Sequence, residues 1–216
     1  IVPATTDADR ADVAMRLGLS DAWPVVAEPF LQWVIEDKFV GERPPFDRGG
    51  AQFVSDVAPY ERMKLRMLNG SHSMMAYLGY LAGKEFIAEV MADPHYVRFV
   101  RNAMTEDIAP TLGMPVAETN AYRDDLLRRF ENVALRHRTY QIAMDGSQKL
   151  PQRLLGTVAD RIITGASFER LALGIAAWMI YARGVDLNGQ PITVQDPLAA
   201  DFSRIAEDGM VAAYLA

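Results

Sequence analysis

The 216-residue sequence contains no cysteine, which removes a disulfide framework, a thiol nucleophile and a thiolate metal site together. Histidine is almost as scarce, with three dispersed residues at 72, 95 and 137. A catalytic zinc usually takes three protein ligands, so metal-assisted chemistry finds little support and no metal is expected. Nowhere does Gly-x-Gly-x-x-Gly occur, so a dinucleotide-binding turn of that kind is absent from these residues. The longest near-uniform apolar run, Leu171 to Ala182, is too short to cross a bilayer. No secretory leader is recognisable. An excess of one charge is missing too: 22 basic against 28 acidic residues leave −6, and nothing overall invites nucleic acid. The local cluster Arg128, Arg129, Arg136, His137 and Arg138 sits among Asp124, Asp125 and Glu131, which reads as a solvated helix face. These absences suit a reducing compartment, and a cytoplasmic location is the expectation. The start at Ile1 rather than Met leads us to expect a piece of a longer protein.

What is present is ordinary for a globular domain: half the residues are apolar and 23% charged, enough to bury a substantial core. Residues 1–19 read as a leading segment, with a helix starting in the acid-rich Asp7–Asp12 run, and residues 20–216 as a helical domain. Phe30 to Phe39 suits a short amphipathic helix opened by Pro29, and Gln52 to Val57 a strand or a helical turn. A long helix is predicted from Pro59 to about Gly83, with Gly70 and Gly79 inside it at some cost in propensity. Further helices are predicted from Asp93-Pro94 to before Pro110, over Thr119–Phe130 and over Leu135–Met144. The last three run from Pro151 to Gly165, from Ser167 to Gly184, and onward from Asp196-Pro197. The expected fold class is all-α, a multi-helical bundle.

The stretch from Tyr60 to His72 concentrates the chemistry. On an ideal helix with Lys64 at zero, Glu61 falls near about 60°, His72 near about 80° and Asn69 near about 140°. Leu65 and Leu68 lie among them. A helix face that mixes a lysine, an amide and an imidazole with leucines is neither a plain solvated face nor a plain core face. Removing hydride from a secondary alcohol requires a group to take the hydroxyl proton, and a lysine serves if burial draws its pKa towards working pH. An amide and an imidazole would supply fixed donors to the reacting oxygen.

Lys64, Asn69 and His72 reproduce a Lys-x4-Asn-x2-His pattern that resembles the mannitol dehydrogenase family of polyol and sugar-acid dehydrogenases. The likeness extends to Glu28-Pro29-Phe30, Gln32–Asp37, Lys64–Gly83 and His137–Lys149, and covers nearly the whole chain. It is a likeness to the C-terminal part of such enzymes, whose helical domain is similar to that of 6-phosphogluconate dehydrogenase.

The resemblance implies an NAD-dependent oxidoreductase acting on CH–OH groups. Its nucleotide would be bound mainly by a Rossmann domain N-terminal to Ile1, and its substrate would be a small sugar acid or polyol. The sugar-acid branch, mannonate to fructuronate, is favoured over a mannitol/fructose enzyme. It implies Lys64 as general acid/base, Asn69 as a contact to the reacting oxygen, His72 as substrate anchor and Glu61 as a proton relay. It also implies that Lys149, which reads as a loop residue after Asp145-Gly146, faces substrate hydroxyls. Polyol-type members place an arginine eight positions earlier, where this sequence has Gln141, so that contact does not transfer. Arg138 and Arg153 are the candidates to hold a substrate carboxylate, though each reads equally as a surface or helix-end charge. A reading of another class, a helical interaction module without catalysis, is disfavoured by the intact Lys64, Asn69 and His72.

Overall fold

The computed structural model describes residues 5–207, so the outer ends of the leading segment and of the terminal helix, residues 1–4 and 208–216, lie outside the described residues. Two compact units divide between Val57 and Ala58, not after Leu19 where the sequence suggests a division. Gly18 does end a helix, α1 (Asp7–Leu17), in the left-handed conformation. The residues after it, however, build a small sheet that belongs to the same unit.

In this first unit α1 opens with a reciprocal cap, Thr6 Oγ1 accepting from the Asp9 amide and Asp9 accepting from the Thr6 amide. The amphipathic helix expected over Phe30–Phe39 is instead strand β1 (Trp33–Glu36), paired in parallel with β2 (Ala51–Val54). Trp33, Val34 and Ile35 are strong strand formers, and the ladder to β2 gives their backbone groups partners. The crossover carries a 3₁₀ turn, Phe46–Gly49, with Gly50 at a φ of 92° closing it. Phe46 stacks on Trp33 at 5.2 Å.

The second unit is helical throughout, and with two short strands elsewhere the chain has the fold class its sequence implies. Its helices are α2 (Ala58–Met63), α3 (Ser71–Leu81), α4 (Ile87–Met91), α5 (Pro94–Asn102), α6 (Val116–Phe130), α7 (Thr139–Ala143), α8 (Gly146–Leu150), α9 (Gly156–Ile163), α10 (Glu169–Ala182) and α11 (Ala199–Glu207). Three of the helix-to-helix joins are wider i→i+5 turns: Lys64–Gly70 between α2 and α3, Ala103–Ile108 after α5, and Pro151–Leu155 between α8 and α9. Such turns are rare and occur often at functional sites. Among the described residues no helix is long and apolar enough to cross a membrane.

Helix α3 is the axis of the unit. Every residue from Ser71 to Tyr77 is buried, and α10 and α7 pack along it. Close approach explains the in-helix glycines. A Cβ on Gly79 would stand 2.4 Å from Val90 Cγ2, and one on Gly174 of α10 would stand 2.5 Å from Met74 Cγ. Both therefore serve packing between helices rather than a ligand.

Two expected boundaries move. Leu135–Met144 is not one helix: Arg136 to Arg138 run extended beside Glu85–Ile87, with the Ile87 amide donating to the His137 carbonyl (3.0 Å) and the Thr139 amide to Glu85 (2.9 Å). Only Thr139–Ala143 is helical. Lys149 lies on helix α8 and not in a loop, because Asp145 takes a left-handed φ of 55° and the helix restarts at Gly146, five residues earlier than expected. Asp and Asn tolerate that conformation better than most residues. Asp196 secures the restart, accepting from both the Ser147 amide (2.8 Å) and the Ser147 hydroxyl (2.6 Å).

Candidate active site

The stretch singled out in the sequence, Tyr60 to His72, is continuous as a helix but not regular. The wide turn Lys64–Gly70 falls between Lys64 and His72, so the even rotation of an ideal helix does not hold there; an i→i+5 turn draws residues five apart, such as Lys64 and Asn69, towards the same side. Glu61 and Lys64 are exposed, Asn69 is half-buried and His72 is 1% exposed. The expected padding of Lys64 by leucines is corrected as well: Leu68 is buried in the core, Leu65 is half-buried, and Lys64 stands in solvent.

The wide turn is held from two sides. Arg66, whose side chain is only 12% exposed, donates to Asp160 Oδ2 at 2.5 Å and to Thr111 Oγ1 at 2.7 Å, tying the turn to α9. Gly70 meets the other wide turn, Pro151–Leu155, so closely that a Cβ there would sit 2.7 Å from the Arg153 carbonyl oxygen. The backbone contact between the two irregular turns is what places the α8–α9 region beside the start of α3.

That contact brings Arg153 to the His72 end of α3, with Lys149 one helical turn before it in the chain. Arg153 is half-buried, donates through Nη1 to Ser73 Oγ at 3.1 Å, and leaves its buried Nε without a hydrogen-bond partner among the described residues. Lys149, with a side chain 23% exposed, donates from Nζ to the carbonyls of Met144 (2.5 Å) and Ile142 (3.4 Å), with the Asp145 carboxylate at 4.0 Å. It thus caps the end of α7, a normal place for a cation. Burial, and after it the neighbouring Arg153 charge, pulls the Lys149 ammonium below its ordinary pKa.

Arg138 is elsewhere. It is exposed, pairs with Glu85 at 3.6 Å and lies over the Phe86 ring. It borders a separate cavity of about 510 Å³ with Tyr80, Lys84 and Asp186. Gln141 is exposed on α7. His95 is a surface residue of α5, its amide bonded to the Asp93 cap. Among the described residues no group of three or more His, Asp or Glu side chains is placed to hold a metal ion.

His137 is the residue the sequence does not single out. Its ring meets His72 at 5.6 Å with the planes 62° apart, while Phe130 of α6 stacks on His72 at 5.3 Å and 20°. Nothing in the spacing of 72 and 137 signals this. It follows from the extended Arg136–Arg138 segment, which a helical reading of 135–144 hides.

Burial above all, then the nearby His137 and Arg153, holds the His72 imidazole well below its ordinary pKa of 6.5. The folded protein therefore keeps His72 neutral where the unfolded chain would bind a proton. Below about pH 6.5 the unfolded state gains protons that the folded state refuses, so stability is intact above that pH and falls as pH drops. The slope should approach about 1.4 kcal/mol per pH unit. Urea denaturation between pH 7 and 5 should show this loss, and His72→Gln should flatten it. An unchanged slope in the variant would place the titration on another group.

The family model for the mannitol dehydrogenase C-terminal domain matches residues 56–216, which opens within two residues of the second unit. D-mannonate oxidoreductase of Escherichia coli K12 is 54% identical over 206 residues, covering 95% of this chain and 42% of that protein. A mannitol 2-dehydrogenase of Pyrenophora tritici-repentis is 44% identical, over 98% of this chain and 38% of its own length. The structure of Pseudomonas fluorescens mannitol 2-dehydrogenase, a ternary complex with NAD and D-mannitol, superposes with a TM-score of 0.81 at 42% identity over 96% of this chain and 42% of that one. The chain spans about two fifths of the length of these relatives. It belongs to the mannitol dehydrogenase family, and residues 56–216 are that family's C-terminal domain.

Proposed function

We propose that the chain is the substrate-binding and proton-transferring part of an NAD-dependent sugar-acid dehydrogenase that interconverts D-mannonate and D-fructuronate in the cytoplasm. The observation that carries the acid rather than the polyol is Arg153. This half-buried guanidinium forms no ion pair among the described residues and has a buried Nε without a partner. Burying an unpaired cation is costly, and a substrate carboxylate would supply the missing partner in bidentate form. The 54% identity to a D-mannonate oxidoreductase supports the same side.

The chain has no glycine-rich dinucleotide turn, so the nucleotide is assigned to the polypeptide outside these residues. Bound there, a nicotinamide would supply or accept the hydride. The chain's own residues do the rest. Lys64 takes the hydroxyl proton in oxidation and returns it in reduction, with Glu61 one turn earlier as its route to solvent. Asn69 and the neutral His72 hold the reacting oxygen and an adjacent hydroxyl; His72 Nε2 is buried without a hydrogen-bond partner, and a donor or acceptor left so costs about 1–3 kcal/mol until a substrate group meets it. Lys149 serves the substrate hydroxyls from its station at the end of α7.

Mannitol and fructose are the second reading, favoured by the 42–44% identity to mannitol 2-dehydrogenases. Steady-state rates of the full-length protein with NADH decide between them. Fructuronate should exceed fructose by at least about a hundredfold in kcat/KM, the scale of one lost charge-assisted contact. Equal rates, or a preference for fructose, would overturn the acid reading.

A further inference from the structure

We infer that His137 is a positioning residue for His72. The inference rests on the reading of His72 as a substrate anchor, and it adds a residue which that reading does not contain. Three separate elements converge on one imidazole. His72 comes from the first turn of α3, Phe130 from the end of α6, and His137 from the extended segment leading into α7.

Phe130 covers a face of the His72 ring almost in parallel, and His137 stands across it at a steep angle. A ring stacked on one side and blocked by a crossed ring on another has lost rotation about its last torsion, where imidazoles are otherwise broadly distributed. His137 can act as such a wall because its own backbone is fixed. Its carbonyl accepts from the Ile87 amide at 3.0 Å and its amide donates to Leu135 at 2.6 Å. Neither Phe130 nor the α3 backbone alone would fix which edge of His72 is presented, since a half-turn about Cβ–Cγ exchanges the two edges and restores the same stacked plane.

For an anchor the consequence is direct. His72 is buried and neutral, with Nε2 uncommitted, so it offers one defined donor or acceptor only while the ring keeps one orientation and one tautomer. Misplacing a binding group by an ångström can cost about a hundredfold.

The test uses the full-length protein with nitrogen-15-labelled histidine, the His72 signals being assigned by their loss in His72→Gln. Wild type should show His72 with one protonated and one bare nitrogen, as a single set of signals. His137→Ala should split or average that set and lower kcat/KM by about 10–100-fold, with the far-ultraviolet spectrum retained. His137→Phe keeps a crossed ring and should restore the single set and most of the activity. Should His137→Ala not fold, His137→Leu fills the space without a planar ring and takes its place. His72 signals identical to wild type in the Ala or Leu variant would overturn the inference, whatever the rates do. Altered His72 signals in a protein whose wild type turns over neither sugar acids nor polyols would uphold the positioning role and overturn the proposed activity instead.

Discussion

Lys64→Ala in the full-length protein should remove about 10²–10⁴-fold of kcat/KM, the usual contribution of a general acid/base, and leave nucleotide affinity almost unchanged. Lys64 ends helix α2 and begins the wide turn that leads to His72. It is the only lysine on the helix that also carries Asn69 and His72, and it stands exposed within the second unit. Proton transfer from an ammonium demands a drier setting than that. The cover would have to come from outside this unit, and the chain spans about two fifths of its relatives' length. Lys64→Arg sharpens the test. It keeps the charge and much of the reach, but a guanidinium does not give up its proton in proteins, so it should fail as completely as alanine. A loss under tenfold in either variant would remove Lys64 from the mechanism.

How much of this was legible in the sequence depended on whether local rules or tertiary contacts decided the outcome. The helical class and the Asp93-Pro94 start of α5 follow from periodicity and capping chemistry, and the chain has them. The Lys-x4-Asn-x2-His spacing falls on one continuous helical stretch. The rotation along that stretch is not an even one, because its turn is widened by neighbours. Arg66 is drawn to Asp160, 94 residues away, and Gly70 is pressed on the Arg153 carbonyl, and neither partner is visible locally. The strand at Trp33–Glu36 is hidden for a related reason: its stability lies in pairing with Ala51–Val54, which the local sequence does not show. His137 escaped notice because charged neighbours make residues 136–138 look solvated. Pairing with Glu85–Ile87 instead turns the histidine inward.

The same long-range contacts separate two arginines that the sequence leaves equivalent, and this yields the second large effect. Arg153→Gln should reduce kcat/KM for fructuronate by about 10–100-fold, the worth of a hydrogen bond to a charged group. It should change the rate with fructose far less, so the preference for the acid collapses chiefly by damage to the acid. Glutamine keeps a polar donor of smaller size in place of the guanidinium, and the residue-153 backbone carbonyl against Gly70 is untouched, so the variant should fold. Arg138→Gln is the matched control. Arg138 is exposed, already faces Glu85 at 3.6 Å and borders the cavity of Tyr80 and Asp186 rather than the His72 end of α3. Its loss belongs to the class of exposed ion pairs worth about 0–1 kcal/mol, and both substrates should be affected alike and little. If Arg138→Gln abolishes the preference while Arg153→Gln spares it, the carboxylate lies at the other end of α3. The unpaired guanidinium beside His72 would then be structural.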